Sequence, residues 1–320
     1  MIRFLTTRLA GAAVTLLAKS FIIFALIGLM PGDPLDMLSQ ANPDATPEQI
    51  ATLRQIYGVD QPIGARYWTW LQQALHGDFG FSRMQHRPVL EIITAALGNT
   101  LILMGIAFAI STVLAILLGT IAATHRGSWL DRVINLLAYT GISVPSFWLA
   151  LVLIYIFAVR LGWLPAGGMP QTADGARGWA IHLILPVAAL VMVEIGGLTR
   201  YARAAMIEVL GQDYIRTARA KGITQNRLLL RHALRNSMIP VITIIALGFG
   251  HLFSGALLIE NIFAWRGMGR LILEAIMGND YNLALVCLLF TTGMILFANI
   301  LADLAYTWLD PRISLGGRRR

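Results

Sequence analysis

The repetition of long apolar stretches constrains this chain more than any other feature of its sequence. Six stretches of the 320-residue chain are almost wholly apolar and run for 18 to 27 residues each. A helix needs about 20 such residues to cross a bilayer core, whereas a barrel strand needs only about ten. The predicted spans cover residues 9–29, 97–123, 133–159, 181–198, 239–260 and 283–307. The sequence therefore predicts an all-α, polytopic membrane protein with six transmembrane helices.

Composition supports a membrane protein and argues against nucleic-acid binding. Hydrophobic residues make up 57% of the chain and charged residues only 13%, against about 25% charged in soluble domains. The net charge of +8 would suggest nucleic acid for a soluble protein. In a membrane protein, basic residues mark the cytoplasmic loops instead. The single cysteine, Cys287, lies in an apolar run and is predicted to be a buried packing residue.

The distribution of Lys and Arg predicts the orientation in the membrane. With the N-terminus inside, the inner segments hold sixteen of these residues and the outer segments eight. This bias places both termini in the cytoplasm, including a basic tail at 309–320. The first apolar run is longer than the core of a signal peptide, and no small-x-small cleavage site follows it, so it is predicted to be a retained anchor.

The first outer segment, residues 31–96, is predicted to contain two short amphipathic helices. One begins after Pro47, and the other runs from Tyr67 to Leu75. The second mixes aromatic and polar residues, as helices at a membrane interface do. A helix lying flat on the outer membrane surface and a small packed external cap both fit this pattern.

The largest basic connection runs from Asp213 to Pro240 and contains five arginines and one lysine. Its first part predicts a short helix with Ile215 and Ala218 on one side and its basic residues mostly on the other. Gly222 is predicted to end that helix, because glycine tolerates the left-handed conformation that a helix end often needs.

A second helix is predicted to follow the glycine. Thr224 is a suitable cap for it, and Pro240 is predicted to open the next span, where its missing N–H costs least. Two short helices that are basic outside and apolar between them form a protruding knob. Such a knob fits a cavity in a partner protein, and it equally fits an interfacial hairpin held to anionic lipid by its arginines.

This stretch resembles the cytoplasmic "EAA" loop of binding-protein-dependent ABC importer permeases. That loop has the form Glu-Ala-Ala-x-x-x-Gly, then nine residues, then Ile-x-Leu-Pro. Gly222 falls on the glycine and Leu234 on the leucine, although an arginine follows in place of the proline. The Glu-Ala-Ala positions are occupied by Arg216, Thr217 and Ala218, so only the last alanine agrees.

The dipeptide, oligopeptide and nickel branch of that family is more similar. In that branch the loop resembles "DYIRTARAKG" followed by "RHALRN" and a proline. Further segments resemble it in the expected order along the whole chain. They are "MPGDP" at 30–34, "HGDFGFS" at 76–82, "SVPSFWLA" at 143–150, "HLILP" at 182–186, "ENIFAWRGMGR" at 260–270, "DYNL" at 280–283 and "DPRI" at 310–313.

The resemblance implies a type I ABC importer permease fold and a subunit without its own ATPase site. It implies an N-terminal helix with an extracytoplasmic segment (1–96), a core transmembrane domain (97–308) with a coupling loop (199–238), and a cytoplasmic tail (309–320). The implied partners are a second homologous permease, two ATPase subunits that use ATP and magnesium, an extracytoplasmic binding protein and membrane lipid. The implied ATPase-coupling residues are Tyr214, Arg216, Ala218, Arg219, Ala220, Gly222, His232 and Leu234.

Several polar residues inside the spans are further candidates. Glu194 and Lys19 lie deepest, and charges at such depth usually face a bundle interior or a water-filled path. Glu194 is a candidate for lining the translocation cavity or for a structural polar contact, and Lys19 is predicted to be structural. Ser143 and His251 are additional cavity candidates. Pro145 lies within the third span and predicts a kink, which is either a hinge or a tolerated packing feature.

The sequence contains none of the motifs that would give this chain its own chemistry. There is no Gly-x-x-x-x-Gly-Lys-Ser/Thr loop, no metal-binding histidine spacing and no nucleophile elbow. His232 is expected to be a packing or capping group. Short peptides are the leading substrate class, with nickel, glutathione or another small solute as alternatives. A secondary transporter driven by an ion gradient would require matched intramembrane acids and inverted repeats, which the sequence does not contain.

Overall fold

A computed structural model describes residues 2–28, 61–170 and 175–309. Within these ranges, the backbone of residues 2–5, 239, 243, 246–256 and 305–309 is described but their side chains are not. The regular structure of the described residues is helical, apart from one isolated β-bridge between Phe81 and Pro88. The predicted helix after Pro47 and the basic tail beyond Leu309 lie outside the described residues.

The described part of the chain folds into a succession of helices. In chain order they are α1 (Ile2–Gly28), α2 (Ile63–Leu75), α3 (Val89–Thr124), α4 (Trp129–Ser143), α5 (Ser146–Leu153), α6 (Gly175–Leu210), α7 (Asp213–Ala220), α8 (Gln225–Arg227), α9 (Arg235–Ile262), α10 (Met268–Met277) and α11 (Tyr281–Leu309). Two π-helical segments extend them: Ile154–Arg160 continues α5, and Leu228–Leu234 joins α8 to α9.

Within the described residues, the apolar regions predicted as spans fall on helices, except at Val144 and Pro145 in the third region. By length and hydropathy, four helices of the described part are able to cross a membrane, namely α1, α3, α6 and α11. The bent pair formed by α4 and α5 raises the number to five if it counts as one span. The remaining predicted region, 239–260, lies within the 28-residue helix α9. The all-α membrane architecture is therefore confirmed.

The third predicted span is not one kinked helix. Trp129–Ser143 and Ser146–Arg160 meet at an angle of 105°. Val144 is extended (φ −88°, ψ 125°), and Pro145 is extended as well (φ −60°, ψ 134°). A proline disfavours the helical conformation of the residue before it and cannot donate its own backbone hydrogen bond. Because two consecutive residues leave the helix, the chain turns a corner instead of bending slightly.

Two other predicted boundaries were wrong. The fourth span was predicted to end near residue 198, but α6 continues to Leu210, so the first third of the predicted coupling loop is helical. The helix continues because Ala202, Ala205 and Met206 remain buried at helical spacing after the hydropathy falls. Pro240 does not open the fifth span, since it lies inside α9, where membrane helices tolerate proline.

The residues group into two compact units. The first comprises Met1–Thr6, Ala96–Arg270 and Met294–Arg320. Its core brings together apolar side chains from α3, α5, α6 and the end of α9. The members with at most 2% exposure are Leu103, Met104, Ala107, Ala150, Leu185, Ala189, Ile259, Phe263 and Trp265. Trp179 packs edge-on against Trp265, with their ring centroids 5.8 Å apart.

The second unit comprises Thr7–Ala95 and Leu271–Gly293. The helix predicted from Tyr67 to Leu75 is present, although it begins earlier, at Ile63. It packs on α1 through Tyr67, whose hydroxyl lies 2.6 Å from the hydroxyl of Ser20 and whose ring meets the ring of Phe21 edge-on. In the same unit, the buried carboxylate of Asp280 accepts hydrogen bonds from the hydroxyl of Ser82 and the backbone N–H of Met84.

Candidate functional site

The basic loop, defined here as residues 211–234, begins where α6 ends. Gly211 and Gln212 turn the chain, and the eight-residue helix α7 follows immediately. Ile215 and Ala218 are its buried residues, with Ile215 only 1% exposed. The side of α7 predicted to be apolar is therefore the side that packs inward.

Gly222 ends α7 as predicted, and the hydrogen bonds explain why a glycine is required. Its φ is +78°, in the left-handed region. Its N–H donates to the carbonyl of Arg219 at 3.0 Å, and the N–H of Ile223 donates to the carbonyl of Ala218 at 3.3 Å. This pair of bonds is a Schellman motif, which satisfies carbonyls that a helix end otherwise leaves unpaired. The motif fixes the direction in which the chain turns back.

The returning segment starts after Thr224, as predicted. Thr224 stands at the N-cap position in an extended conformation, but its side chain makes no capping hydrogen bond. The short helix α8 passes directly into the π-helical segment Leu228–Leu234 and then into α9. Within this return, Leu228 and Ala233 are completely buried, so the return packs against the rest of the first unit through these two side chains.

The two halves of the loop share one apolar cluster with the helices that support them. We call it the loop cluster, and its buried members are Ala123, Met206, Ile215, Ala218, Leu228 and Ala233. Ala123 lies near the end of α3 and Met206 near the end of α6. The loop is therefore a knob with its own small core, anchored on the ends of two long helices. Burial of apolar surface at about 25 cal/mol per Å² stabilises such an arrangement.

The outer surface of the knob is polar and basic. Arg216, Arg219 and Lys221 are exposed, as are Tyr214 and Ala220. The guanidinium of Arg216 lies 3.6 Å from the carboxylate of Asp213, but both side chains are largely in solvent, and such pairs contribute little. His232 and Leu234 are half-buried on the returning segment.

The remaining sequence candidates lie away from the loop. Ser143, the last residue of α4, is exposed, and its hydroxyl donates to the carbonyl of Tyr139 at 2.9 Å. Glu194 is half-buried on α6. Helices α4 and α6 touch at Gly141 and Met192, so both candidates lie within one helical turn of that contact. The side chain of His251 is outside the described residues.

A buried polar network at the end of α9 was not anticipated from the sequence. The carboxylate of Glu260, with no solvent exposure, accepts hydrogen bonds from the hydroxyl of Thr100 at 2.6 Å and the N–H of Gly269 at 2.7 Å. The hydroxyl of Thr100 also accepts a bond from the N–H of Met268 at 2.8 Å. This network fixes the first residues of α10 to α3 and α9. The only signal in the sequence was an acid at the end of an apolar run.

A second network, between Asp131 and Arg203, was also missed. The two side chains form a two-armed ion pair with distances of 2.7 and 2.8 Å. A serine lies three residues before Asp131, and this spacing is the sequence signal of a helix N-terminus at which both residues cap the helix. Nothing in the sequence indicates Arg203 as the partner of Asp131. Among the residues that the structure describes, no cluster of histidine, cysteine and carboxylate side chains is suited to a metal ion.

Comparison with protein families identifies the family to which this chain belongs. Residues 115–315 match the family described as "Binding-protein-dependent transport system inner membrane component". Residues 1–104 match the N-terminal family of the same membrane components. The chain belongs to this permease family. The predicted resemblance to ABC importer permeases is thereby confirmed.

Relatives of this permease are similar to it in sequence over nearly the whole chain. A Brucella suis protein, provisionally named a peptide permease, is 39% identical over 98% of this chain and all of its own length. A Salmonella choleraesuis protein named as a glutathione transport system permease is 38% identical over 98% of this chain and 99% of its own length. This permease is a multi-pass subunit of an ATP-driven ABC importer of the inner membrane, and an ion-gradient-driven transporter is set aside.

Solved structures agree with this permease in fold. An inward-facing methionine ABC transporter superimposes with a TM-score of 0.57 at 14% identity, covering 68% of this chain and 96% of the other. An amino acid ABC transporter gives a TM-score of 0.51 at 16% identity over the same share of this permease and 94% of its own chain. The type I importer fold is therefore shared, and ATPase and binding-protein partners follow in general terms from the family.

Proposed function

We propose that this permease forms half of the path by which short peptides enter the cell, and that its basic loop docks on an ATPase subunit. The observation that carries the proposal is the construction of the loop. Its buried apolar residues form the loop cluster, its direction is fixed by the motif at Gly222, and its outer surface is mostly polar and basic. A preformed, outward-facing knob is suited to insertion in a partner's groove, because little ordering is left for binding to impose.

The assembly we propose contains a second, homologous permease subunit, two ATPase subunits and an extracytoplasmic binding protein. The sequence has no P-loop, so ATP and magnesium act on the ATPase subunits. A cytoplasmic location for both termini and the loop is part of the proposal, and the excess of basic residues in the connections on that side supports it. On the loop, the residues we propose to dock or to shape the docking surface are Tyr214, Arg216, Ala218, Arg219, Ala220, Gly222, His232 and Leu234.

The substrate we favour is a short peptide, because relatives with more than a third of their residues identical are named as peptide permeases. Glutathione is a second candidate, which the name of the Salmonella relative supports, and nickel is a third. We propose that Glu194, Ser143 and His251 line the cavity through which the substrate passes. The corner at Pro145 is the proposed hinge, because it is the break between two helices and lies close to Ser143.

Transport in a reconstituted system tests this proposal. The permease, its partner permease and the ATPases are placed in proteoliposomes, and the binding protein is added outside with a labelled tripeptide, glutathione or nickel. We expect accumulation of the peptide that requires both ATP and the binding protein. Accumulation of nickel alone would overturn the substrate, and accumulation driven only by an ion gradient would overturn the importer mechanism.

Site-specific cross-linking tests the docking surface separately. The only native cysteine, Cys287, is buried, so single introduced cysteines report on their own positions. Tyr214→Cys and Ala220→Cys are expected to cross-link to the ATPase. Arg126→Cys, exposed beyond the end of α3, is the matched control. Equal cross-linking at all three positions would contradict docking through the knob.

A further inference from the structure

The ion pair between Asp131 and Arg203 joins α4 to the part of α6 that leads into the basic loop. Nε of Arg203 donates to Oδ1 of Asp131 at 2.7 Å, and Nη2 donates to Oδ2 at 2.8 Å. The Asp131 side chain is only 6% exposed and the Arg203 side chain 25%. A planar guanidinium that meets both oxygens of a carboxylate fixes orientation as well as distance.

Asp131 is held in place from its own side as well. The N–H of Gly127 donates to Oδ2 at 2.9 Å, and the side-chain amide of Asn135 donates to Oδ1 at 2.7 Å. The hydroxyl of Ser128 caps α4 by accepting from the N–H of Asp131. Each carboxylate oxygen therefore accepts two hydrogen bonds. The acid has no freedom to turn, so any movement of Arg203 is resisted by the first turn of α4.

On the side of the ion pair that is farther from the basic loop, the backbones of α4 and α6 come into close contact. A Cβ placed on Gly196 would overlap the carbonyl oxygen of Ala138, and one placed on Gly141 would overlap the carbonyl oxygen of Met192. Contacts between backbone atoms leave no flexible side chain to absorb a displacement. The two helices are thus locked at three levels, of which the ion pair is the nearest to the loop.

These contacts follow one another along α4 and α6, from the basic loop to the corner at Pro145. Met206, three residues after Arg203, belongs to the loop cluster together with Ile215 and Ala218. At the other end, Gly141 lies four residues before Pro145, where the chain turns by 105°. One continuous set of packed contacts therefore links the base of the knob to the corner at Pro145.

We propose that the Asp131–Arg203 pair is a positioning clamp that makes α4 follow α6 when the ATPases displace the loop. The displacement then reaches the corner at Pro145 instead of being lost by sliding between the two helices. This inference rests on the proposed docking of the loop. It assigns a role to two residues that touch neither the substrate nor the ATPase in that arrangement, because Asp131 is buried and Arg203 is largely covered where the two helices meet.

A clamp and a purely structural ion pair differ in what they change. Loss of a structural pair lowers the amount of assembled complex. It leaves unchanged the number of ATP molecules that each assembled complex hydrolyses per substrate molecule transported. Loss of a clamp raises the number of ATP molecules hydrolysed for each substrate molecule transported. The discriminating readout is therefore this ratio, normalised to assembled complex.

The test compares Arg203→Lys and Asp131→Asn with the wild type in proteoliposomes. Arg203→Lys keeps the charge but loses the two-armed geometry. Arg132→Lys, an exposed neighbour of Asp131, is the control. We expect the ratio of ATP hydrolysed to substrate transported to rise by about fivefold or more in the two clamp variants, as for a typical coupling free energy, and to stay unchanged in the control. An unchanged ratio in both clamp variants would overturn the proposal.

A rescue experiment covers variants that assemble poorly. In a cysteine-free complex, Asp131→Cys and Arg203→Cys are combined and bridged by a short bifunctional methanethiosulfonate reagent. The bridge is expected to restore the wild-type ratio, and reduction is expected to abolish it. A bridged complex that stays uncoupled, or variants that never assemble, would assign the pair a structural role and overturn the clamp. A wild type without ATP-dependent uptake would instead refute the proposed function.

Discussion

The backbone N–H of Ile223 donates to the carbonyl oxygen of Ala218 at 3.3 Å, five residues back along the chain. This bond closes α7 and brings the side chain of Ile223 against the loop cluster, of which Ala218 is a buried member. It forms only because Gly222, between them, has a φ of +78°. The angle at which the knob projects therefore depends on the backbone of one residue.

Gly222→Val is expected to disturb the projection of the knob. No atom lies within 4 Å of a Cβ added at Gly222, so the penalty comes from the left-handed backbone, at about 1–2 kcal/mol. We expect a several-fold fall in ATP-dependent uptake with normal membrane insertion. Gly222→Asn is the control, because asparagine tolerates this conformation. Normal uptake by the valine variant would contradict a requirement for this turn.

Ile215→Ala is expected to loosen the knob from its support. Ile215 is 1% exposed within the loop cluster, and truncation of a buried isoleucine to alanine costs about 2–5 kcal/mol. The loop should then become more sensitive to trypsin in inside-out vesicles, because it carries exposed basic residues on the same helix. Thr217→Ala, at an exposed position of α7, should leave cleavage unchanged. Equal cleavage of both variants would show that the cluster does not hold the loop.

Charge reversal of Arg216 and Arg219 to glutamate is expected to weaken binding of the ATPase. Exposed ion pairs contribute about 0.2–1 kcal/mol each, so reversing two charges should raise the Kd roughly tenfold, with the difference shrinking as salt is added. Replacement of both residues by lysine keeps the charge and serves as the control. If binding is unchanged and the orientation in the membrane shifts, these arginines determine topology instead.

Thr100→Val is expected to destabilise the first unit. The change removes the donor to Glu260 and the acceptor for the N–H of Met268, and a buried group left unpaired costs about 1–3 kcal/mol. Thermal unfolding of the purified complex in detergent should show a lower midpoint. Thr94→Val is the matched control on the same helix, since Thr94 is exposed and bonds only to the nearby carbonyl of Glu91. Identical midpoints for the two variants would refute the role assigned to the network.

Much of the candidate site was predictable because its determinants are local. The burial of Ile215 and Ala218 follows from their spacing on one helical face, and the end of α7 follows from a glycine. The same kind of reasoning placed the helix α2 and the burial of Cys287. In each case, residues within one or two turns supply the information, and no knowledge of distant partners is required.

The errors arose where a local pattern has more than one three-dimensional outcome. Pro145 predicts a break, but the pattern does not distinguish a kink of a few degrees from the corner of 105°. The fall in hydropathy after residue 198 marks the end of the apolar run, yet α6 continues to Leu210 because the loop cluster buries its last turns. Hydropathy indicates which residues lie in the membrane. The length of a helix also depends on the apolar residues that it packs against outside the membrane.

The sequence by itself determined the helical membrane architecture, the family and the turn at Gly222. The architecture and the turn depend on apolar periodicity and hydrogen bonds between residues close in the chain, whereas the family follows from a resemblance in sequence motifs. Only the tertiary structure decided that Asp131 pairs with Arg203, 72 residues away, and Thr100 with Glu260, 160 residues away. A buried polar group must find a partner, but its own residue type leaves open which helix supplies that partner. The packing of the helices makes that choice, because it brings distant segments within hydrogen-bonding distance.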